Sequence, residues 1–247
     1  MAELMADVPG SALAVFAHPD DPEVACGGTL ARWSAAGAEV RVVICGSGDK
    51  GSLDPATDRS ALVVTRAAEV ASAAEHLGLA GHHLLGHPDG ELDAGPELRG
   101  ELVGLIRRFR PEVVICPDPT AVFFGQHYVN HFDHRNVGWA TLDAVAPCAG
   151  MPLYFPEAGP PHQVAWLLLS GTLDPDVWVD ITSSIERKAT AVACHASQLA
   201  GGPDGPDGPA GPAGEQAVIA MVRQRAEEAG RAAGVRYAEG YRRIRVG

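Results

Sequence analysis

The chain has 247 residues, 46% of them apolar, enough for one large α/β domain or two small ones around a sizeable core. Acidic residues outnumber basic ones by 31 to 19, a net charge of -12, which weighs against nucleic acid or an anionic membrane as the main partner, since both need clustered cations. No apolar run reaches eighteen residues, MAELMADVPGSALAVFA lacks the features of a secretory leader, and five scattered cysteines without a CxxC pair read as reduced, so a cytoplasmic protein is expected.

Apolar runs alternate with amphipathic stretches along the chain. SALAVFA (11–17) reads as a buried strand, followed by a helix from about Glu23 to Ala36. EVRVVIC (39–45) is a second strand, and RSALVVTRAAEVASAAEHLG has helical periodicity and a glycine stop. HHLL is a short third strand, ELRGELVGLIRRFR a helix and EVVICP (112–117) a fourth strand. HRNVGWATLDAVA reads as helical, VAWLLLS and VWVDI as late strands, and SIERKATAVACHASQL as one further helix. Trp33, Trp139, Trp166 and Trp178 fall within these patterns and are expected in the core. GPDGPDGPAGPAG has too few Gly triplets for a triple helix, and a flexible Gly/Pro-rich loop is expected at 201–214 within one domain spanning 1–247; the chain then ends in the amphipathic RYAEGYRRIRV. The alternation predicts an α/β fold, a mostly parallel sheet with helices on both faces, whose ligands bind beyond the carboxyl ends of the strands.

At such an end stands AHPDDPE, Ala17 to Glu23. Imidazole and carboxylate both bind zinc, and a catalytic zinc takes three protein ligands and keeps a position open. Two adjacent carboxylates can divide the labour, one holding the ion and the other taking a proton. The plain alternative is a polar turn in which Asp20 or Asp21 caps the next helix. A second cluster, NHFDH (130–134), supplies His131, Asp133 and His134, again after a strand and loop and before a helix. If the first and fourth strands bring the clusters together, His18, Asp21 and one of these histidines would form a ligand set.

The chain resembles the LmbE/PIG-L family of zinc-dependent N-acetyl-sugar deacetylases, marked by an AHPDD loop and a later HPDH. The likeness extends through GSGDKGS, TRAAE, HPDGEL, RPEVVICPDP, YFPE and VWVDI. It implies a Rossmann-like single-domain fold and hydrolysis of an acetamide on a small amino sugar or glycoside. By position it implies His18, Asp21 and His134 as metal ligands and Asp20 as general base. His131, protonated, would stabilise the oxyanion or protonate the leaving amine, with Asp133 orienting a neighbouring histidine. Arg66 in TRAAE would lie near substrate hydroxyls with Glu69 as its structural partner; apart from the resemblance, Asp89 or Glu91 in GHPDGEL is an expected substrate contact. Phe132 stands where HPDH has proline, Pro22 displaces the glutamate that would follow the acidic pair to Glu23, and Val129 stands where some sugar-thiol deacetylases have tyrosine, with Tyr128 adjacent. Zinc is the implied cofactor, although such a ligand set also accepts iron, cobalt or manganese. A homo-oligomer is an expectation by analogy only.

Two alternatives stay open: an amidase cleaving a larger acyl or thiol-sugar conjugate, and a non-catalytic nucleotide-binding protein using GSGDKG (46–51). The latter matches G-x-G-x-x-G after a strand, but SLDPATD intervenes before the next helix, and a pocket-lining loop is the expected role. His87 repeats HPD without the second aspartate and reads first as a turn; His82, His83 and His127 are expected in surface or loop positions, and His162 and His195 carry no ligand spacing.

Overall fold

The computed structural model describes residues 3–199 and 212–247. Strands β1 (Glu3–Leu4), β2 (Ser11–Phe16), β3 (Glu39–Gly46), β4 (Gly81–His87), β5 (Val113–Pro117), β8 (Trp166–Ser170), β9 (Val177–Asp180) and β10 (Ala238–Arg245) form one sheet in the order β1-β9-β10-β8-β5-β2-β3-β4. A separate hairpin joins β6 (Phe123–Phe124) to β7 (Tyr128–Val129). The pairs β4–β3, β3–β2, β2–β5, β5–β8 and β1–β9 are parallel, and only β10 runs against its neighbours, β8 and β9. The sheet is therefore mostly parallel.

Both faces of the sheet are covered, which is why its central strands read as continuous apolar runs rather than alternating ones. Along β2, Ala12, Ala14 and Phe16 enter one core layer while Leu13, Val15 and the following Ala17 enter the other. The first layer packs against α1 (Asp21–Ala35), α2 (Arg59–Leu77), α5 (Ile185–Ala193) and α7 (Pro212–Ala233) through residues such as Leu30, Trp33, Val70 and Ala226. The second packs against α3 (Pro96–Phe109) and α4 (Phe132–Asp143) through Leu102, Ile106, Val137 and Ala140. Helix α2 starts at Asp58, whose carboxylate accepts from Ser60 N and Ala61 N, and stops at Gly78 with φ 73°.

Several local expectations change. RYAEGYRRIRV supplies the antiparallel β10; its alternation was legible only as amphipathicity, and its place between β8 and β9 is a matter of topology. SIERKATAVACHASQL is broken after Ala193, with a short helix α6 (Ala196–Leu199) beyond His195. Helix α4 begins at Phe132 and gives way to an irregular turn over Ala144–Ala149, where Pro147 has no N–H to continue the ladder. Trp33 is fully buried as expected, whereas Trp139 is exposed on α4. Of the expected loop at 201–214, residues 201–211 lie outside the described residues, and Pro212 already opens α7, a position suited to its fixed φ. Among the described residues no helix is long and apolar enough to cross a membrane.

Candidate metal centre and substrate cleft

After β2 the chain runs outward to β3 and β4 and then returns to place β5 on the other side of β2. The order thus reverses at β2–β5, and loops leaving these two strands diverge to leave a crevice at their carboxyl ends. His18 leaves β2 at this point, and α4, reached from β5, starts beside it. Two clusters more than a hundred residues apart in sequence meet there.

His18 Nδ1 lies 3.2 Å from His134 Nε2 and 3.5 Å from Asp21 Oδ2, and His134 Nε2 lies 3.2 Å from Asp21 Oδ1. Ligand atoms held about 2.0–2.1 Å from a tetrahedral ion are about 3.3 Å apart, so this triangle has the size that one zinc-like cation needs. Outer contacts fix the rings. His18 Nε2 meets Asp133 Oδ2 at 2.9 Å, His134 Nδ1 meets Asn130 Oδ1 at 3.1 Å, and Asn130 Nδ2 donates to Ala121 O at 2.8 Å. A carboxylate behind a ligating imidazole sets its tautomer and raises its basicity. Asp133, fully buried, thus orients His18, and it also accepts from Gly90 N at 2.6 Å.

Asp20 is the residue before α1, with φ 102°, a left-handed conformation costly for a non-glycine residue. Burial, reinforced by the Asp21 charge, pushes its carboxyl up to about 7, while Arg66 and His195 oppose the rise. Burial disfavours charge on His18, yet its bonds to Asp133 and Asp21 push it up to about 10. His131 accepts from Asp133 N at its Nδ1, 3.1 Å away, and caps α4. That bond leaves Nε2 as the protonated nitrogen of a neutral ring, and burial together with the His18 charge holds His131 below its ordinary value. The expected imidazolium is not what this geometry presents.

A cleft of about 320 Å³ opens beside the cluster, lined by His18, Asp20, Arg66, Asp89 and His131, with Lys50 and Gln198 at its wall. Arg66 is 3% exposed, and its guanidinium donates to Pro19 O at 2.6 Å and Gly48 O at 3.3 Å, 3.4 Å from Asp20 Oδ2. It pins the strained turn that aims Asp20. Glu69 is not its partner; it accepts instead from Ser197 N and Oγ at 2.7 Å. Asp89 accepts from Gly48 N at 2.9 Å. A side chain at Gly48, whose φ is +76°, would fall 2.6 Å from Arg66 Cδ, and one at Gly51 2.5 Å from Arg66 Nη1. Gly48 and Gly51 therefore make room for Arg66, whereas a side chain at Gly46 would meet Asp89 Oδ1 at 2.7 Å and Ala17 O at 2.8 Å. Lys50 bonds Asp89 O and Glu91 Oε1, as a wall of this cleft rather than a phosphate cradle.

His87 pairs with Glu101 at 2.7 Å and is outside both donor clusters, His18–Asp21–His134 and His18–His131–Asp133. His195, set aside for want of ligand spacing, is 1% exposed and meets Glu23 Oε2 at 3.2 Å directly behind the AHPDD turn. Glu23, displaced by Pro22, thus serves the scaffold. Asn130 could have been found from its i, i+4 spacing to His134, whereas nothing local announces His195 or Gln198.

The structure is an α/β fold carrying a convergent His/His/Asp donor set that could hold a metal ion, with the Asp20 carboxylate beside it in a polar cleft. The profile of the PIG-L family, described as GlcNAc-PI de-N-acetylase, matches residues 13–145, and the chain belongs to that family. Diacetylchitobiose deacetylase of Thermococcus kodakarensis is 34% identical over 190 residues, covering 75% of this chain and 69% of that protein. The 1D-myo-inositol 2-acetamido-2-deoxy-alpha-D-glucopyranoside deacetylase of Mycobacterium sp. (strain JLS) is 30% identical over 244 residues, covering 81% and 78%. Among solved structures, N,N'-diacetylchitobiose deacetylase from Pyrococcus horikoshii superposes with a TM-score of 0.83 at 27% identity over 97% of this chain and 88% of that one.

Proposed function

We propose that the protein is a metal-dependent hydrolase that removes the N-acetyl group from a small amino sugar or glycoside, with zinc as its ion. The observation that carries this reading is the His18–Asp21–His134 triangle at the edge of a cleft that also holds Asp20 and His131. Its relatives' deacetylase activity on N-acetyl sugars supports the substrate class.

His18, Asp21 and His134 would hold the ion, which would supply Lewis acidity toward water and the amide carbonyl. Asp20 takes a proton from the attacking water as its oxygen bonds to the acetyl carbon. His131 donates from Nε2 to the carbonyl oxygen as negative charge gathers there, a contact of a kind that contributes about 3–4 kcal/mol to the transition state. When the C–N bond breaks, the proton held by Asp20 passes to nitrogen, leaving acetate and a primary amine. Arg66 fixes Asp20, and Asp89 faces the hydroxyls of the amine half.

Elemental mass spectrometry of protein purified without added metal, wild type beside His134→Ala, tests the ligand set. About one ion per wild-type chain, lost in the variant, is expected; a wild type that stays metal-poor after zinc is offered sinks the reading. Amine release from N-acetyl sugars should vanish in Asp20→Asn while the ion is retained, and full turnover there would remove Asp20 from the mechanism.

A further inference from the structure

A second cavity, of about 810 Å³, adjoins the His/Asp cluster. Asp21 and His134 line it, and among the described residues Asp20 alone lines both this cavity and the front cleft. The two spaces have different chemistry. The front cleft is walled by Arg66, Asp89, His131, Lys50 and Gln198, groups suited to hydroxyls. The rear cavity offers a wall of carbon, Val24 and Ala25 from α1, Phe124 and Tyr128 from the β6–β7 hairpin, and Ala226 and Ala229 from α7, with Asn130, Ser170 and Arg225 as further polar liners. Its buried charges are spent on each other. Lys188 Nζ donates to Glu239 Oε1 at 2.6 Å and to Val24 O at 2.8 Å, and Glu239 also accepts from Gly28 N and Thr29 N.

A scissile amide has two halves, and its carbonyl carbon must sit beside Asp20 and the ligand triangle. With the polar amine half in the front cleft, the acyl half points past Asp20 and His134 into the rear cavity. We infer that this cavity is an acyl-binding site, and that the protein is an N-deacylase accepting straight-chain acyl groups longer than acetyl. The inference rests on the deacetylase reading above and extends it. A hexanoyl group adds four methylenes to acetyl, each near a water molecule in size, roughly 120 Å³ in all, well within the space. A site closed around acetyl would behave differently, since a filled pocket discriminates against one extra methylene by about tenfold or more.

The test is an acyl series on one amine, N-acetyl-, N-propanoyl-, N-butanoyl- and N-hexanoyl-glucosamine, with kcat/KM read from amine release by the metal-loaded full chain. Hexanoyl turnover within threefold of acetyl, or above it, is the expected result. Ala229→Phe, and separately Ala25→Leu, should lower the hexanoyl-to-acetyl ratio at least tenfold by filling the cavity. Calorimetric titration with hexanoate gives a readout independent of turnover: hexanoate should bind at least tenfold more tightly than acetate, with a negative heat-capacity change, and Ala229→Phe should remove the difference. Activity confined to the acetyl substrate, with hexanoate binding no better than acetate, would overturn the acyl site and leave the deacetylase reading standing. No amine release from any member, acetyl included, would instead strike the deacetylase reading itself.

Discussion

Asp133→Asn separates charge from shape at the metal centre. One oxygen, Oδ2, accepts from both His18 Nε2 at 2.9 Å and Gly90 N at 2.6 Å, while Oδ1 is buried without a partner. The amide of asparagine can therefore place its oxygen at the Oδ2 position, keep both bonds and put its NH2 where Oδ1 was. What disappears is the negative charge that makes His18 a better electron donor. Loss of such a partner lowers metal affinity 10–100-fold, about 1.4–2.7 kcal/mol. The buried NH2 adds a separate cost to the fold of about 1–3 kcal/mol, because it finds no acceptor. Zinc affinity is measured by competition with a chromophoric chelator, and stability of metal-free protein by urea unfolding. An affinity within twofold of wild type would refute the link from Asp133 through His18 to the ion. Loss of stability alone would make Asp133 a packing residue.

Other predictions follow from the same geometry. Asp20→Gly should relieve the backbone at φ 102° and raise Tm by about 2–4 °C, the equivalent of roughly 1 kcal/mol, while eliminating turnover; an unchanged or lower Tm would show the turn to be unstrained. Gly48→Ala places a methyl 2.6 Å from Arg66 Cδ at a φ of +76°, and a loss of about 2 kcal/mol with a fall in kcat is expected by thermal unfolding and amine release. A wild-type-like Gly48→Ala protein would mean that Arg66 is free to move. Lys188→Met leaves the 5%-exposed Glu239 without its cation and should cost about 3–5 kcal/mol in urea, whereas adding Glu239→Gln should recover part of it; simple addition of the two losses would deny the pairing.

Much of the site was legible because its chemistry is local. AHPDDPE places His18, Asp20 and Asp21 within one turn, and NHFDH places His134 beside His131, the cap of α4. Side-chain exchanges across the fold were not legible. The partner of Glu69 is Ser197 rather than Arg66, and His195 finds Glu23 across 172 residues, contacts that no periodicity encodes. The irregular end of α4 was signalled by Pro147, but the outward face of Trp139 was not, since a helical pattern says which residues share a side and not what that side meets.

The sequence by itself determined the strand–helix alternation, the two His/Asp clusters and the glycines of the loop after β3. Burial of both sheet faces forces continuous apolar strands, and metal chemistry forces particular side chains, so both leave marks in short windows. Only the tertiary structure decided that the AHPDD and NHFDH clusters share one ligand triangle, because that depends on the order reversal between β2 and β5. It alone decided that Gly48 and Gly51 accommodate Arg66, that β10 enters the sheet against its neighbours, and that two cavities of different character meet at Asp20. Those features are set by which distant surfaces the fold brings together, and side-chain pairing across such distances has no local signature to read.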